Sequence, residues 1–277
     1  MSSIVWLASY PKSGNTWMRA FLQNFLTDSD EPADINALDT FFANENTPDW
    51  YQGLTDIPLP ELNPTQVCAL RAQAQARIAA SRQGTVLVKT HNYLGEFEGY
   101  PLHNIGVTAG AIYVVRNPLD VVLSVADHFG FTLDEAITFI NSEDAATQND
   151  ELSMGSMLGS WSFHVATWTQ PSDVVCVVRY EDLLEKPVKT FTSILGLLRQ
   201  DKATPRIKRA VANSSFAALK KQESKAGFRE RSAHSKRFFR EGRKNQWREV
   251  LSREQVQAVV DANREQMKRF GYLPKGY

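Results

Sequence analysis

The residues best suited to chemistry lie near the start of the chain, where Ser9–Trp17 reads S-Y-P-K-S-G-N-T-W. This segment joins the apolar run Ile4–Ala8 to a stretch with apolar residues at helical spacing. A strand, a turn of small residues and a helix start together form an anion cradle, because backbone N–H groups and the positive end of the helix dipole converge there. The sequence therefore predicts a phosphate-binding loop.

The position of Lys12 separates this loop from that of an ATP-hydrolysing enzyme. A P-loop of that class reads G-x-x-x-x-G-K-[ST], with its lysine after the second glycine. Here Lys12 precedes Gly14, which is the only glycine of the loop. The order argues against ATP and favours another phosphate-bearing donor. A P-loop nucleotide kinase or NTPase stays an alternative.

A histidine follows the second apolar run, in V-K-T-H at residues 88–91. His91 would then stand at the carboxyl end of a strand, beside the crevice that the first loop faces. Its ordinary pKa near neutrality suits a base that removes a proton from a hydroxyl or an amine. Taken alone, a histidine in this position is more often a structural hydrogen-bonding residue.

A third set, R-N-P-L-D-V-V-L-S at residues 116–124, begins where another apolar run ends. Pro118 fits the first turn of a helix. Arg116 offers a planar fork of N–H donors and Ser124 offers a hydroxyl, and both suit a phosphate group. The alternative is a local ion pair between Arg116 and Asp120, with Ser124 an ordinary helix residue.

A fourth set, R-F-F-R-E-G-R-K-N-Q-W at residues 237–247, lies in a basic stretch near the C-terminus. Such a stretch is usually a solvated face or a nucleic-acid contact. A non-catalytic protein that binds a nucleotide or a nucleic acid is therefore a second alternative.

Together the four sets resemble the sulfotransferases that use 3′-phosphoadenosine 5′-phosphosulfate (PAPS), and the resemblance runs from residue 6 to residue 248. The loop at Lys12 is similar to the 5′-phosphosulfate loop of that family, and in particular to that of its bacterial members. The resemblance implies an α/β fold, a three-layer doubly wound parallel sheet related to P-loop NTPases, in one domain over residues 1–277. It also implies PAPS as donor, 3′-phosphoadenosine 5′-phosphate (PAP) as product, a small-molecule acceptor and no metal.

The resemblance also implies roles for individual residues. His91 corresponds to the catalytic base, Lys12 to the group that stabilises the leaving PAP oxygen, and Lys89 to a lysine near the sulfonate oxygens. Ser124 corresponds to a residue that touches the 3′-phosphate and holds Lys12 away until the acceptor binds. The residues implied to bind the donor are Lys12, Ser13, Gly14, Asn15, Thr16, Trp17, Arg116, Ser124, Tyr180, Phe216, Phe239, Arg240, Glu241 and Gly242.

Two positions depart from the family pattern F-M-R-K-G-x-x-G-x-W. Glu241 stands where a basic residue is usual, and Asn245 replaces the second glycine. Both departures put the strength of the phosphate clamp in doubt. The family's dimerisation motif K-x-x-x-T-V-x-x-x-E does not appear in this region, so the oligomeric state stays open.

Strands and helices that would position these residues alternate along the chain. Apolar runs without polar alternation predict buried parallel strands at Ser3–Ala8, Thr85–Lys89, Ala111–Val115 and Val174–Arg179. Helical spacing predicts helices at Thr16–Leu26, Pro64–Ser81, Pro118–Phe129, Leu133–Asn141, Met157–Trp168, Pro187–Leu198, Arg206–Asn213 and Arg253–Phe270. This alternation favours an α/β doubly wound sheet, in which ligands bind beyond the carboxyl ends of the strands.

The amino-acid composition argues against several classes of binding partner. Lys and Arg number 31 against 31 Asp and Glu, so no net field gathers nucleic acid or an anionic membrane. Cys68 and Cys176 are too few for a disulfide framework and lack metal-ligand spacing. No apolar run reaches the about 18 residues of a membrane span. We expect a cytoplasmic protein without metal, membrane or nucleic-acid partner.

Acceptor specificity is expected in Thr27–Asn63, Asn92–His103, Asp127–Asn149 and Glu223–Ser235. The segment Glu223–Arg237 is charged and contains a glycine, which suits a lid ordered by nucleotide. Phenols, sterols, glycopeptides, other secondary metabolites and sugars all stay open as acceptors. Seven aromatic residues are candidates for lining an aromatic acceptor pocket, although core packing is the more usual role for any one of them: Trp50, Tyr51, Phe97, Tyr100, Phe129, Phe131 and Phe163.

Overall fold

The structure is a computed structural model that describes residues 2–277. Its seven strands, β1 to β7 in chain order, comprise Ser3–Ser9, Phe42–Asn44, Thr85–Thr90, Glu96–Phe97, Tyr100–Pro101, Thr108–Val115 and Val175–Arg179. Five of them form a parallel sheet in the order β2-β3-β1-β6-β7, while β4 and β5 form a small antiparallel pair. The chain leaves β1 toward one side of the sheet and later returns to the other. The crevice at β1 is therefore the switch point at which such sheets bind ligands.

Eleven helices, α1 to α11, surround the sheet in the described part of the chain. Side-chain caps and early prolines begin many of them, and capping boxes at Asn63, Thr132 and Ser252 start α2, α4 and α11. The helices comprise Asn15–Thr27, Pro64–Ala80, Pro118–Phe129, Leu133–Asn141, Trp161–Trp168, Tyr180–Glu185, Pro187–Leu197, Thr204–Asn213, Phe216–Ala226, Trp247–Val250 and Arg253–Arg269.

Helices cover both faces of the sheet because successive strand side chains point to opposite sides. Trp6 of β1 packs into one core with apolar residues of α3, α4, α5 and α11. Its neighbour Leu7 packs into a second core with residues of α1, α7 and α8. Burial on both faces explains why the strands read as continuous apolar runs.

The predicted α/β class with a doubly wound parallel sheet is confirmed. All four predicted strands are present, although β6 begins at Thr108 rather than Ala111. The predicted start of a helix at Met157 is wrong, since α5 begins at Trp161 after a cap at Ser160 and a left-handed Gly159. The short elements β2, α6, α9 and α10 were not predicted. Among residues 2–277, none of the helices combines the length and the apolar character that crossing a membrane requires.

Candidate active site

The loop after β1 turns sharply into α1 through two left-handed residues. Lys12 has φ 65° and Gly14, which precedes the first helical residue, has φ 108°. A Cβ at residue 14 would lie 2.7 Å from the Tyr180 ring, so only glycine fits here without a shift. The Asn15 amide fastens the turn by donating to the Leu7 carbonyl at 2.7 Å. The helix start thus faces the crevice between β1 and its neighbours.

His91 follows β3 and is held in one tautomer. Its Nδ1 lies 2.8 Å from the Ser9 carbonyl oxygen, and a carbonyl only accepts, so Nδ1 carries the proton and Nε2 holds a lone pair. The ring of His164 donates to the His91 carbonyl at 3.1 Å and accepts from Tyr113 at 2.9 Å. Burial and the Lys89 charge lower the pKa of His91 well below its usual value. The imidazole is therefore neutral and oriented as a base.

Two lysines flank this histidine in the sheet crevice. Lys12 Nζ lies 3.4 Å from His128 Nδ1 and 4.1 Å above the Phe238 ring. Burial and the Lys89 charge lower the pKa of Lys12 to about 7. The ammonium of Lys89 lies 3.8 Å from a carboxylate oxygen of Glu230, and burial lowers its pKa as well. Lys12 therefore titrates near neutral pH, and the pKa of Lys89 is shifted in the same direction.

Arg116 stands at the end of β6 and points into the crevice. Its guanidinium donates to the Lys12 carbonyl at 2.9 Å and to Ser124 Oγ at 3.2 Å, and lies 4.5 Å from the Tyr180 ring centroid. Its buried Nε has no partner among residues 2–277. Ser124 therefore contacts Arg116 here, whereas the resemblance implied that it restrains Lys12.

Asp120 does not pair with Arg116, so that alternative is not observed. Its carboxylate accepts from the backbone N–H groups of Asn245 at 2.7 Å and Trp247 at 3.1 Å. Asn245 has φ 62°, a left-handed conformation that asparagine tolerates better than most residues. Asn245 therefore adopts a backbone conformation that glycine also adopts readily.

Residues 227–246, which we call the strap, cross the crevice in front of α1 and α3. Glu223 of α9 accepts from the backbone N–H groups of Phe238 at 2.6 Å and Phe239 at 2.9 Å. Gly242 has φ 62°, and a Cβ there would lie 2.3 Å from the Phe216 ring. The carboxylate of Glu241, the other departure from the family pattern, lies 3.4 Å from Arg243. Both terminal nitrogens of that arginine also donate to Glu249 at 2.7 Å, so Arg243 is shared between two carboxylates.

A buried ion pair that the sequence analysis missed joins α1 to the strap. Arg19 donates to Glu230 at 2.7 Å, and Thr16 Oγ1 donates to the same carboxylate at 3.2 Å. Burial would raise the pKa of this carboxyl, but the charges of Lys89 and Arg19 hold it well below its usual range. No local pattern in the sequence indicates this pair.

These side chains line one cavity of about 430 Å³, a size suited to a nucleotide-sized ligand. Every residue implied to bind the donor or to take part in transfer lines it, apart from Ser13. Ser13 is buried, and its hydroxyl has no partner in the described part of the chain. The unpaired Arg116 Nε and the close approach at Gly14 and Gly242 fit an anionic, flat-ringed ligand.

Of the seven aromatic candidates for the acceptor pocket, Phe129 alone lines the cavity. Trp50 and Tyr51 pack beside a separate apolar cluster, and Phe131 stacks on Phe129 at 5.5 Å. Tyr100 and Phe163 are exposed. Polar side chains line the cavity beside His91 instead: Asn44, Asn46, Thr147, Gln148, Ser153 and Ser156.

Comparison with known proteins decides the family. The family model described as the sulfotransferase domain matches residues 2–271. The chain belongs to this family. The sulfotransferase is 22% identical over 276 residues to "Sulfotransferase 2A2" of Mus musculus, covering 95% of this chain and 84% of that protein. It is 23% identical to "Flavonol 3-sulfotransferase" of Flaveria bidentis, covering 92% of this chain and 78% of that protein.

Solved structures show the same fold for this sulfotransferase. A retinol dehydratase crystallised with androsterone and PAP matches with TM-score 0.65 at 18% identity, over 96% of this chain and 80% of that one. A mouse sulfotransferase complexed with PAP matches with TM-score 0.61 at 20% identity, over 96% and 84%. The predicted family and enzyme class are confirmed, while nothing in these comparisons supports the predicted similarity to bacterial members. No cluster of three metal-ligating side chains occurs among residues 2–277.

Proposed function

We propose that this sulfotransferase moves the sulfuryl group of PAPS to a hydroxyl, or an amine, of a small-molecule acceptor in the cavity described above. The observation that carries the proposal is the oriented lone pair of His91 Nε2 beside two buried lysines, in the cavity that Arg116 also lines. PAP in the crystals of two structural relatives supports the choice of donor.

Sulfuryl transfer resembles phosphoryl transfer, an in-line displacement with charge building on the leaving oxygen. The acceptor oxygen forms a bond to sulfur as the bond from sulfur to the bridging phosphate oxygen breaks. His91 Nε2 takes the acceptor proton. Protonated Lys12 stabilises the leaving oxygen, and Lys89 stabilises the sulfonate oxygens. The products are a sulfate ester and PAP. Positioning and charge stabilisation account for most of the rate.

The donor would be held by groups on both sides of the crevice. The backbone of Gly14–Thr16 and the helix dipole of α1 suit the 5′-phosphate. Arg116, Ser124 and Arg240 suit the 3′-phosphate. Three aromatic rings that line the same end of the cavity, those of Trp17, Tyr180 and Phe216, suit the adenine face.

Other parts of the sequence interpretation stay predictions. These are one domain over residues 1–277, a cytoplasmic location, independence of metal, and the absence of nucleic-acid or membrane partners. No contact or charge in the cavity favours the alternatives, a P-loop kinase or NTPase and a non-catalytic PAP- or nucleic-acid-binding protein.

Transfer of label from ³⁵S-PAPS to a broad panel of hydroxylated compounds and amines, with a metal chelator present, tests the proposal. We expect a labelled product that disappears in His91→Ala. Magnesium-dependent turnover of ATP, without transfer from PAPS, would overturn the proposal in favour of a kinase or NTPase.

A further inference from the structure

The half of the cavity next to His91 is built by two segments, residues 44–46 and 147–156. Asn44 pairs with Lys89 in the β2–β3 register, which places the first segment directly beside the proposed transfer centre. The second segment contacts the first directly, since Met154 N–H donates to the Asn46 backbone carbonyl at 2.7 Å and Asn46 Nδ2 donates to Ser156 Oγ at 2.6 Å. We call these two segments the polar wall. Its cavity-lining side chains are amides and hydroxyls, with Asp150 the one acid.

Side chains of the polar wall retain hydrogen-bonding capacity toward the cavity. The side-chain Oδ1 of Asn44 accepts from Asn46 N–H at 3.2 Å, which leaves both side-chain amide protons of Asn44 free to donate. Thr147 Oγ1 accepts from Ser156 N–H at 2.9 Å and keeps its own proton. Gln148 adds a complete amide to the lining. The wall therefore offers several donors and acceptors to a ligand.

A buried polar network fixes the wall from behind. Glu45 and Arg71 form an ion pair at 3.5 Å, with side chains 1% and 0% exposed. Glu45 also accepts from Gln75 at 2.9 Å and from Asn92 at 2.7 Å. Breaking a buried pair of this kind leaves an uncompensated charge, so the network holds one arrangement. The polar groups of the wall are thus preorganised.

The charges of the polar wall indicate the charge of the ligand. The cations that line the cavity in the described part of the chain include none from the polar wall. Asp150 uses one carboxylate oxygen for the backbone N–H groups of Leu152 at 2.8 Å and Ser153 at 2.7 Å, as a local turn requires. The wall therefore suits a neutral ligand rather than an anionic one.

We infer that the acceptor is a neutral polyhydroxylated molecule of the carbohydrate class, selected by the polar wall. This inference rests on the proposed function, since it concerns the acceptor of that same transfer. A sterol or a simple phenol would remove water from these amides and hydroxyls without replacing the hydrogen bonds. A site built to hydrogen-bond a hydroxyl rejects an analogue that lacks it by up to about 10⁴–10⁵.

The test compares acceptors that share a ring but differ in the sugar. With saturating PAPS, 4-nitrophenyl glucoside is set beside 4-nitrophenol, and neutral mono-, di- and trisaccharides are set beside a sterol. We expect kcat/KM for at least one sugar-bearing acceptor to exceed that of the phenol and the sterol by about tenfold or more. Preference for the phenol or the sterol would overturn the inference.

Titration with PAP on the same samples separates the two proposals. Intact PAP binding without transfer to any sugar overturns the acceptor class alone. If the wild-type protein does not bind PAP, both the proposed function and this inference are overturned.

A single substitution in the wall provides the second measurement. Gln148→Leu, at an exposed residue that lines the cavity, should lower kcat/KM for the preferred sugar about tenfold, while the affinity for PAP stays within about twofold. Gln200→Leu, at an exposed glutamine outside the cavity, is the matched control and should change neither value. Equal activity of Gln148→Leu and wild type toward the sugar would contradict the role of the wall.

Discussion

The two halves of the cavity are built from different materials. The donor half, along β1, β6 and β7, gathers Lys12, Arg116 and Arg240 with several aromatic rings and two left-handed glycines. The acceptor half, along β2 and β3, is lined mainly by neutral amides and hydroxyls held by a buried network. A nucleotide with two phosphate positions needs cations and close backbone approach, whereas a neutral ligand needs oriented dipoles. Both halves meet at His91 and the two lysines.

This contrast explains why motifs in the sequence predicted the donor half but not the acceptor half. Glycine at a left-handed position and arginine at a strand end have few substitutes, so they form short recognisable motifs. Many combinations of asparagine, glutamine, serine and threonine build a polar surface equally well. The acceptor half therefore leaves little trace as a motif.

The largest expected effect tests the meeting point of the two halves. His91→Ala should lower kcat by about 10²–10⁴, because the base that accepts the proton is lost. Affinity for PAP should stay within about twofold, since the donor half is untouched. Steady-state kinetics and calorimetry measure the two quantities.

Exposed His234 provides the matched histidine control. His234→Ala should leave both values near those of the wild type. Near-normal kcat in His91→Ala would remove this residue from the mechanism.

The next effect tests the donor half alone. Arg116→Ala should weaken PAP binding about 10- to 100-fold, the range that the loss of charge-assisted hydrogen bonds to a phosphate gives. Arg248→Ala, at an exposed arginine that does not line the cavity, should leave binding unchanged. Equal losses in both variants would mean that general positive charge, rather than the Arg116 pocket, attracts the ligand.

A pair of glycines tests whether the strap must approach Phe216 closely. Gly242→Ala and Gly227→Ala both place a side chain at positive φ, but only residue 242 has a ring in the way, at 2.3 Å. We expect Gly242→Ala to weaken PAP binding by about tenfold, since strain and a displaced ring add up to more than 1 kcal/mol. Gly227→Ala has open space and should change PAP binding little.

The comparison between these variants needs a stability control. Thermal unfolding of both proteins separates a general loss of stability from a local effect at the donor half. Equal PAP affinities for the two variants would show that the Gly242–Phe216 contact does not shape the donor site.

The smallest effect is a pH dependence of donor binding. The pKa of Lys12 is lowered to about 7 by burial and by the Lys89 charge, so Lys12 is charged below that pH and neutral above it. Affinity for PAP should therefore fall several-fold as the pH rises from about 6 to about 9, with at most about tenfold per unit for one proton. Lys12→Met should flatten this alkaline limb, as calorimetry across the pH range would show. An unchanged limb in Lys12→Met would assign it to another group.

Much of the fold was predictable because β1 and β6 are buried on both faces, and β3 and β7 also read as apolar runs. Most donor-half residues were predictable from four motifs, and Tyr180 and Phe216 from the family resemblance outside those motifs. The structure places all of them but Ser13 along one cavity. Their roles stay predictions. The pairing of Arg19 with Glu230 joins residues 211 apart in the chain, so no local pattern announces it. The acceptor lining depends on where β2 and the 147–156 loop meet, which spacing alone does not determine.

Calorimetric titration of the purified protein with PAP, compared with ADP and with ATP plus magnesium, tests most directly whether the donor is PAPS. We expect tight binding of PAP that needs no metal and that weakens about 10- to 100-fold in Arg116→Ala. Magnesium-dependent binding of ATP, or binding of none of the three nucleotides, would contradict it.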